Sequence, residues 1–197
     1  AKDIHLNELG YVIDRRNLLQ EFLNCIKSIS NITIFDQESV SSFEEYDKGG
    51  NYKLTGKLLS GKSIETKYLI VSDGIESKIK DKLNIESLKI DYSQISFVFN
   101  SKALFKKHSA IQIFNKYGIF AGIPYGDDRI NLILTINKKD LPVFFNGQDE
   151  VNGNVVQDIF KDYVNNISDL KFVSQYNLIT SRSKEISKDN IILLGNS

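Results

Sequence analysis

The chain has 197 residues, of which 41% are hydrophobic and 25% are charged, ordinary usage for a globular protein with its own core. Its 25 Lys and Arg balance its 25 Asp and Glu, which argues against a nucleic-acid binder that works through bulk positive charge. A single cysteine excludes an internal disulfide and is typical of a cytoplasmic protein, and no apolar stretch approaches the ~20 residues of a membrane span.

The first part of the chain is predicted to be a helix followed by a β-meander. Apolar residues recur at helical spacing within residues 9–27, after a short β-rich lead-in at residues 9–13. Cys25 lies in this helix, where a small buried hydrophobic residue is the favoured interpretation and a reactive thiol is the alternative. Gly61 indicates a tight turn, and the pattern predicts a helix over 77–83. The strand-like segments are 32–35, 40–46, 52–59 and 64–71, and residues 68–71 are apolar enough for a fully buried strand.

Longer β segments dominate after about residue 90. Strands are predicted at 92–100, 110–115, 119–124, 129–136 and 171–179. An amphipathic helix is predicted over 151–164, with Val155, Ile159 and Tyr163 on one face. We therefore predict an α+β fold with two lobes, the first comprising residues 1–90 and 185–197 and the second comprising residues 91–184.

The sharpest local motif follows the apolar strand at residues 68–71. Asp73-Gly74 comes directly after the strand, Ser77 begins a helix, and Lys80 stands one helical turn further on. Glycine lets the backbone approach a ligand closely, and the start of a helix offers free N–H groups. The pattern is typical of a polar cofactor held at the carboxyl end of a strand. The alternative is a plain turn in which Ser77 caps the helix.

Two further segments also place polar residues directly after a short apolar stretch. Arg15 and Arg16 start a helix directly after the sequence Leu-Gly-Tyr-Val-Ile-Asp, and the apolar run 191–194 leads into Gly195-Asn196. Together the three segments resemble, in the same order, flavin motifs of the class A FAD-dependent aromatic hydroxylases, which have the p-hydroxybenzoate hydroxylase fold. Asp73-Gly74 begins the counterpart of their Asp-Gly-x-x-Ser-x-x-Arg motif, in which Lys80 replaces the arginine and its planar fork.

The ubiquinone-biosynthesis branch of that family is the one that the chain resembles in detail. Gly195-Asn196 is similar to the second flavin motif of the 2-polyprenyl-6-methoxyphenol hydroxylase subgroup, where Asn replaces Asp. The resemblance implies an α/β family fold, here a partial FAD-binding domain with a β-sheet substrate domain. The residues it implies in FAD binding are Arg15 (or its neighbour Arg16), Asp73, Gly74, Ser77, Lys80, Gly195 and Asn196.

The resemblance also implies an activity. We expect an FAD- and NAD(P)H-dependent monooxygenase that hydroxylates the aromatic ring of a polyprenylated phenol in ubiquinone biosynthesis. The alternatives are another flavin hydroxylase or epoxidase of the same fold, and a non-catalytic binding or scaffold protein. The expected partners are the phenol substrate and a complex of ubiquinone-synthesis enzymes, with no nucleic acid and at most peripheral contact with the inner membrane. No metal is expected, because neither histidine has a second ligand at suitable spacing.

A candidate substrate pocket lies between the flavin motifs. Residues 114–125 resemble the family's middle-domain strands, which form a floor over the substrate and the flavin ring. The aromatic residues that could line an apolar pocket are Phe114, Tyr117, Phe120 and Tyr125, and for most of them the alternative is a place in the sheet core. The family's Gly-x-Gly-x-x-Gly motif and N-terminal Rossmann unit have no counterpart here. We therefore expect an internal fragment that, by itself, binds little or no FAD and is inactive.

Overall fold

The computed structural model describes residues 10–48, 51–106, 109–147 and 150–195. The described chain divides into two compact units that alternate along the sequence. Unit 1 contains residues 10–21 and 91–179, and unit 2 contains residues 22–90 and 180–195. Three elements continue across these divisions: helix α1 (Arg15–Lys27), strand β5 (Ser87–Phe105) and strand β11 (Val164–Ser183).

Unit 2 combines a β-meander with a small mixed sheet. The meander consists of three antiparallel strands, β1 (Val40–Lys48), β2 (Asn51–Leu58) and β3 (Ser63–Thr66). The mixed sheet has the order β12-β13-β4, with β4 (Leu69–Val71), β12 (Ser187–Lys188) and β13 (Ile191–Leu193). The short helix α2 (Lys78–Lys82) follows β4. The buried apolar core of this unit is formed by Leu54, Val71, Leu83, Ile85, Ile191 and Leu193.

Unit 1 is built on a five-stranded sheet with the order β11-β5-β8-β7-β6. Its three consecutive hairpin strands are β6 (Ile111–Asn115), β7 (Gly118–Pro124) and β8 (Arg129–Asn137). Between β8 and β11 lie a 3-10 turn (Lys138–Asp140), α3 (Leu141–Phe144), β9 (Phe145–Asn146), β10 (Glu150–Val151) and α4 (Gly153–Phe160).

The two faces of this sheet differ in what they carry. Alternate residues of each strand share a face, and one set, the first face, packs with α3 and α4 into an apolar core. That core includes Phe97, Phe99, Phe120, Ile130, Leu132, Leu134 and Ile136 from the strands, and Phe144, Val156 and Phe160 from the helices. The second face is defined by the residues between them on β5 and β8: Gln94, Ser96, Val98, Asn100, Asn131, Ile133, Thr135 and Asn137.

The expected fold class is confirmed, and most predicted strands lie within the observed ones, but several local predictions were wrong. Residues 32–35 are coil, and Ile34 is 48% exposed. A four-residue run becomes a strand only when a neighbouring strand supplies hydrogen bonds, and the next strand, β1, pairs with β2 instead. The run 68–71 is not fully buried, since β4 buries Val71 but leaves Ile70 59% exposed. Cys25 is exposed.

The helix predicted over 151–164 is shorter than expected. Helix α4 ends at Phe160, and Val164 already begins β11. Its fully buried residues are Val156 and Phe160, one position along from the predicted face, while Tyr163 is 44% exposed after the helix has ended. Asn152 caps α4 by accepting hydrogen bonds from two backbone N–H groups, and this fixes where the helix begins.

Gly118, in the β6–β7 hairpin, is expected to be intolerant of any side chain. A Cβ atom there would lie 1.9 Å from the carbonyl oxygen of Thr135, and the φ angle of Gly118 is +151°. Because the obstacle is backbone of the central strand β8, Gly118→Ala should lower the free energy of unfolding by about 3 kcal/mol or more. Urea denaturation measures this. Gly126→Ala is the control: its φ is +71° but its Cβ meets nothing within 4 Å, so only about 1 kcal/mol should be lost.

Candidate functional site

Two glycine-containing turns lie side by side at one edge of the β12-β13-β4 sheet. Strands β4 and β13 are parallel, with Val71 paired to Leu193. The Asp73-Gly74 turn begins two residues after Val71, and Gly195 stands two residues after Leu193. The N–H of Leu194 donates to the Val71 carbonyl oxygen at 2.8 Å, so the two strands stay together up to the turns. Carboxyl ends of parallel strands are where open α/β sheets place their ligands.

Both turns require glycine for conformational reasons. Gly74 has a φ angle of +95° and Gly195 one of +74°, a region that glycine adopts freely and other residues avoid. No atom lies within 4 Å of a Cβ built on either residue, so the requirement is backbone conformation and not crowding. Asn196, the predicted polar residue of the second turn, lies outside the described residues.

Ser77 joins the Asp73-Gly74 turn to helix α2. Its side chain is buried, and its Oγ accepts a hydrogen bond from the N–H of Lys80 at 3.1 Å. Its own N–H donates to the Gly74 carbonyl oxygen at 3.1 Å. Ser77 is therefore the N-cap of α2, the role that the sequence left open beside cofactor binding.

Lys80 has the most unusual environment of the predicted site residues. It is only 3% exposed, and its Nζ has no hydrogen-bond partner among the described residues. An ammonium group removed from water and left unpaired costs several kcal/mol, so proteins normally provide such a group with an anion or strong acceptors. Its orphaned Nζ fits an anionic or strongly accepting group supplied by a bound ligand.

The two predicted arginines at the start of helix α1 have different environments. Asp14 Oδ1 accepts a hydrogen bond from the N–H of Arg16 at 2.8 Å, which makes Asp14 the cap of the helix. The Arg16 Nη2 lies 3.2 Å from Asp14 Oδ2, so this guanidinium is already paired. The Arg15 side chain is exposed and makes no hydrogen bond or ion pair with the residues that the structure describes. Arg15 is thus the one of the two whose guanidinium is unpaired.

The cap at Asp14 gives α1 a pH dependence. A hydrogen bond from the side chain of Arg16 and one from its backbone N–H lower the pKa of Asp14 below its usual 3.8. A carboxyl with a depressed folded-state pKa stabilises the fold above its unfolded pKa, and this contribution is lost as the pH falls through the folded pKa. We expect the first turn of α1 to fray below about pH 4, seen as lower protection factors for amide exchange at residues 16–18 after division by the intrinsic rate at each pH, and Asp14→Asn to remove this pH dependence. Protection factors that stay unchanged between about pH 5 and pH 3 in the native protein would contradict this.

The four aromatic candidates lie in different places. Phe120 is fully buried on the first face, stacked on Phe144 with ring centroids 5.6 Å apart. Tyr117 contacts the same Phe144 edge-on, and the Lys116 Nζ lies 4.8 Å from its ring centroid. Phe114 is 68% exposed and points away from that core, and Tyr125 is partly exposed at the end of β7. The structure thus places Phe120 and Tyr117 in the core between the first face and the helices, and leaves Phe114 and Tyr125 accessible.

The second face carries hydrogen-bonded side-chain pairs that sequence reasoning missed. Three pairs of residues directly opposite each other on β5 and β8 are joined at 3.0 Å: Gln94 with Asn137, Ser96 with Thr135, and Asn100 with Asn131. The only signal in the sequence was that polar residues occupy most of the alternate positions in strands whose other residues are largely apolar. Its meaning depends on the register between two strands that lie about forty residues apart.

In the described ranges, no group of three or more His, Cys, Asp or Glu side chains is arranged to hold a metal ion. None of the helices in those ranges is long and apolar enough to cross a membrane.

Comparison with known proteins gives one curated relative and many similar structures. The chain is 24% identical over 204 aligned positions to the mitochondrial ubiquinone biosynthesis monooxygenase COQ6 of Dictyostelium discoideum, covering 94% of this chain and 41% of that protein. PqsL of Pseudomonas aeruginosa, a probable FAD-dependent monooxygenase, is 16% identical with a TM-score of 0.67 over 91% of this chain and 51% of its own. The p-nitrophenol 4-monooxygenase PnpA of Pseudomonas putida is 14% identical with a TM-score of 0.65 over 93% and 47%. No protein-family model matches the chain.

These likenesses establish the fold. The chain has the fold of the class A FAD-dependent monooxygenases, as the order of its motifs predicted, and it spans about two fifths of the curated relative's length. The Asp73-Gly74 turn and Gly195, on which that prediction depended, follow the paired strands β4 and β13.

Proposed function

We propose that this chain is part of an FAD-dependent monooxygenase that hydroxylates the ring of a polyprenylated phenol in ubiquinone biosynthesis, with NAD(P)H as reductant. The observation that carries the proposal is the pairing of β4 with β13, which brings Asp73-Gly74 and Gly195 to one edge of a sheet. Similarity to a ubiquinone biosynthesis monooxygenase over 94% of the chain supports the substrate class. Association with other enzymes of that synthesis and peripherally with the inner membrane belongs to the same proposal.

The residues of unit 2 fit a bound FAD in three respects. Gly74 and Gly195 have positive φ angles and carry no Cβ atom, and the space that a Cβ would face is open, so a ligand can approach the backbone of both turns closely. Lys80 offers a buried ammonium without a partner. Asp73 adds a carboxylate that can accept hydrogen bonds from hydroxyl groups. FAD supplies the oxygen-activating chemistry when bound, and these residues bind and orient it.

Arg15 and Ser77 have different parts in this proposal. Arg15 has free guanidinium donors at the start of α1, which suit a phosphate oxygen. The Ser77 hydroxyl is occupied by the helix cap, so it contributes by holding the Asp73-Gly74 turn in position. Arg16, paired with Asp14, is the weaker candidate for a ligand contact.

The test uses the protein expressed from its complete reading frame. A purified protein with flavin absorbance and a stoichiometric FAD content is expected, together with NADH or NADPH oxidation that is stimulated by a phenol bearing a short prenyl chain. Product analysis should show one added oxygen on the ring. A flavin-free protein that does not bind added FAD would support the non-catalytic alternative and overturn the proposal.

Small phenols separate the remaining enzymatic alternative. The structural similarity to a p-nitrophenol 4-monooxygenase favours comparison with p-nitrophenol itself. If kcat/KM is higher with p-nitrophenol than with prenylated phenols, the chain belongs to a small-phenol hydroxylase. The proposed substrate class predicts the reverse order.

A further inference from the structure

Strand β6 (Ile111–Asn115) is an edge of the unit 1 sheet. It stands last in the order β11-β5-β8-β7-β6, so among the described residues it has a neighbouring strand on one side only. Every second residue of such a strand directs its N–H and C=O groups away from the sheet, where another strand can bind them. Edge strands usually carry charges or proline that prevent this pairing. Residues 109–115, Ser-Ala-Ile-Gln-Ile-Phe-Asn, contain neither.

The opposite edge of the sheet is protected in the usual way. Strand β11 carries the exposed charged residues Asp169, Lys171 and Arg182 along its length. Charged side chains on an edge strand disfavour the addition of a further strand, because the new strand would desolvate them. Of the two edges, β6 is therefore the one whose sequence permits strand addition.

A groove beside the first half of β6 contains an unpaired carboxylate. The groove has a volume of about 570 Å³ and is lined by Lys106, Ser109, Ala110, Ile111, Gln112, Asp162 and Tyr163. Asp162 is exposed and makes no hydrogen bond or ion pair with the described residues. The two lysines near it are engaged elsewhere. The Lys161 Nζ pairs with Asp158 at 2.8 Å, and the Lys106 Nζ donates to the Lys161 carbonyl oxygen at 2.7 Å.

The turn at the other end of β6 carries an unpaired cation. Lys116 directly follows the strand and is exposed. Its Nζ lies 4.8 Å from the centroid of the Tyr117 ring and makes no ion pair with the residues that the structure describes. The edge thus has a carboxylate beside its beginning and an ammonium group just after its end. Two such edges complement each other when they run antiparallel.

The register of that pairing follows from symmetry. A two-fold axis perpendicular to the sheet keeps each face of the two sheets on the same side, and directly opposite residues of antiparallel strands also share a face. One residue of β6 must therefore lie opposite itself. When this residue is Ile113, the whole of β6 is paired, with Ile111 opposite Asn115. Lys116 then lies opposite Ala110 of the second copy, at the groove that contains Asp162.

We propose that β6 is a dimerisation strand, which pairs antiparallel with β6 of a second copy of this chain about an axis through Ile113. The two five-stranded sheets become one continuous sheet, joined by backbone hydrogen bonds between the two strands. Lys116 of each copy forms an ion pair with Asp162 of the other. Because the copies meet edge to edge, both faces of each sheet keep their places. The inference does not depend on the proposed function.

A charge exchange tests the pairing. Sedimentation velocity of the protein from the complete reading frame, at low ionic strength, should show a monomer–dimer equilibrium. Lys116→Glu and Asp162→Lys should each raise the dissociation constant of the dimer about fivefold or more, because two attractive contacts become repulsive. The double variant restores opposite charges and should return the constant to within about threefold of the wild type. Lys102→Glu, three strands away from β6, makes the same change in net charge and should have no effect.

Amide exchange then locates the interface. The outward-pointing N–H groups of residues 111–115 should gain protection when the protein concentration is raised above the dissociation constant. A monomer at every concentration would overturn the inference, and protected β6 amides in that monomer would show that another part of the complete chain covers the strand. A dimer that both single variants leave intact, or that the double variant fails to restore, would also overturn it. So would a dimer whose β6 amides gain no protection.

Discussion

Replacing Lys80 by methionine is expected to stabilise the flavin-free protein and to weaken its affinity for FAD. The Lys80 side chain is 3% exposed, and its Nζ has no partner among the described residues. Methionine fills a similar volume without a charge, so the free energy of unfolding should rise by about 1–3 kcal/mol. If the ammonium pairs with an oxygen of FAD, its loss should raise the Kd for FAD at least tenfold. Urea denaturation and flavin fluorescence measure the two quantities.

Lys78 provides the matched control for this experiment. It lies on the same helix α2 but is exposed, so Lys78→Met should change neither the stability nor the FAD affinity appreciably. Lys80→Arg keeps the positive charge and restores the residue that the family motif usually has. A Lys80→Met protein that is less stable and binds FAD normally would show that the ammonium pairs with another part of the protein.

The strands of this fold were predictable where residues of the buried face recur as apolar residues at every second position of the sequence. In β8 the apolar residues Ile130, Leu132 and Leu134 alternate with residues of the second face, and the Gly126 turn before them is readily recognised. The full extent of β5 and β11 was not predictable, because many residues at 87–91 and 164–170 are exposed and polar. Such segments are strands because a neighbour pairs with them, not because of their composition.

Part of the candidate site was predictable from the sequence. The order of the motifs and their family resemblance predicted that Asp73-Gly74 and Gly195 belong together, and the structure adds the parallel pairing of β4 with β13, which brings both to one edge of a sheet. The burial of Lys80 was not predictable, since a lysine on a short helix between polar residues is normally solvated. In helix α1 the sequence predicted burial that the structure does not have. Its apolar spacing predicts a buried face, yet Phe22 is 55% exposed and no residue of the helix is buried.

The aromatic candidates Phe120 and Phe114 are expected to differ strongly in how much they stabilise the fold. Phe120 has no exposed surface and stacks on Phe144, so Phe120→Ala should cost about 3–5 kcal/mol of unfolding free energy by leaving a cavity in the first-face core. Phe114 is 68% exposed, and Phe114→Ala should change stability by about 0.5 kcal/mol or less. Denaturation of the two variants measures both values.

The same two variants bear on the substrate. If Phe114 borders the bound substrate, Phe114→Ala should raise the KM for a prenylated phenol severalfold with little change in kcat, because the variant loses binding surface but no reacting group. Phe120→Ala acts through the fold, so its active fraction should fall with stability while the KM of the folded protein stays near that of the wild type. A Phe114→Ala enzyme with unchanged KM would place the substrate away from β6. A Phe120→Ala enzyme of normal stability would contradict the packing of the sheet on α3.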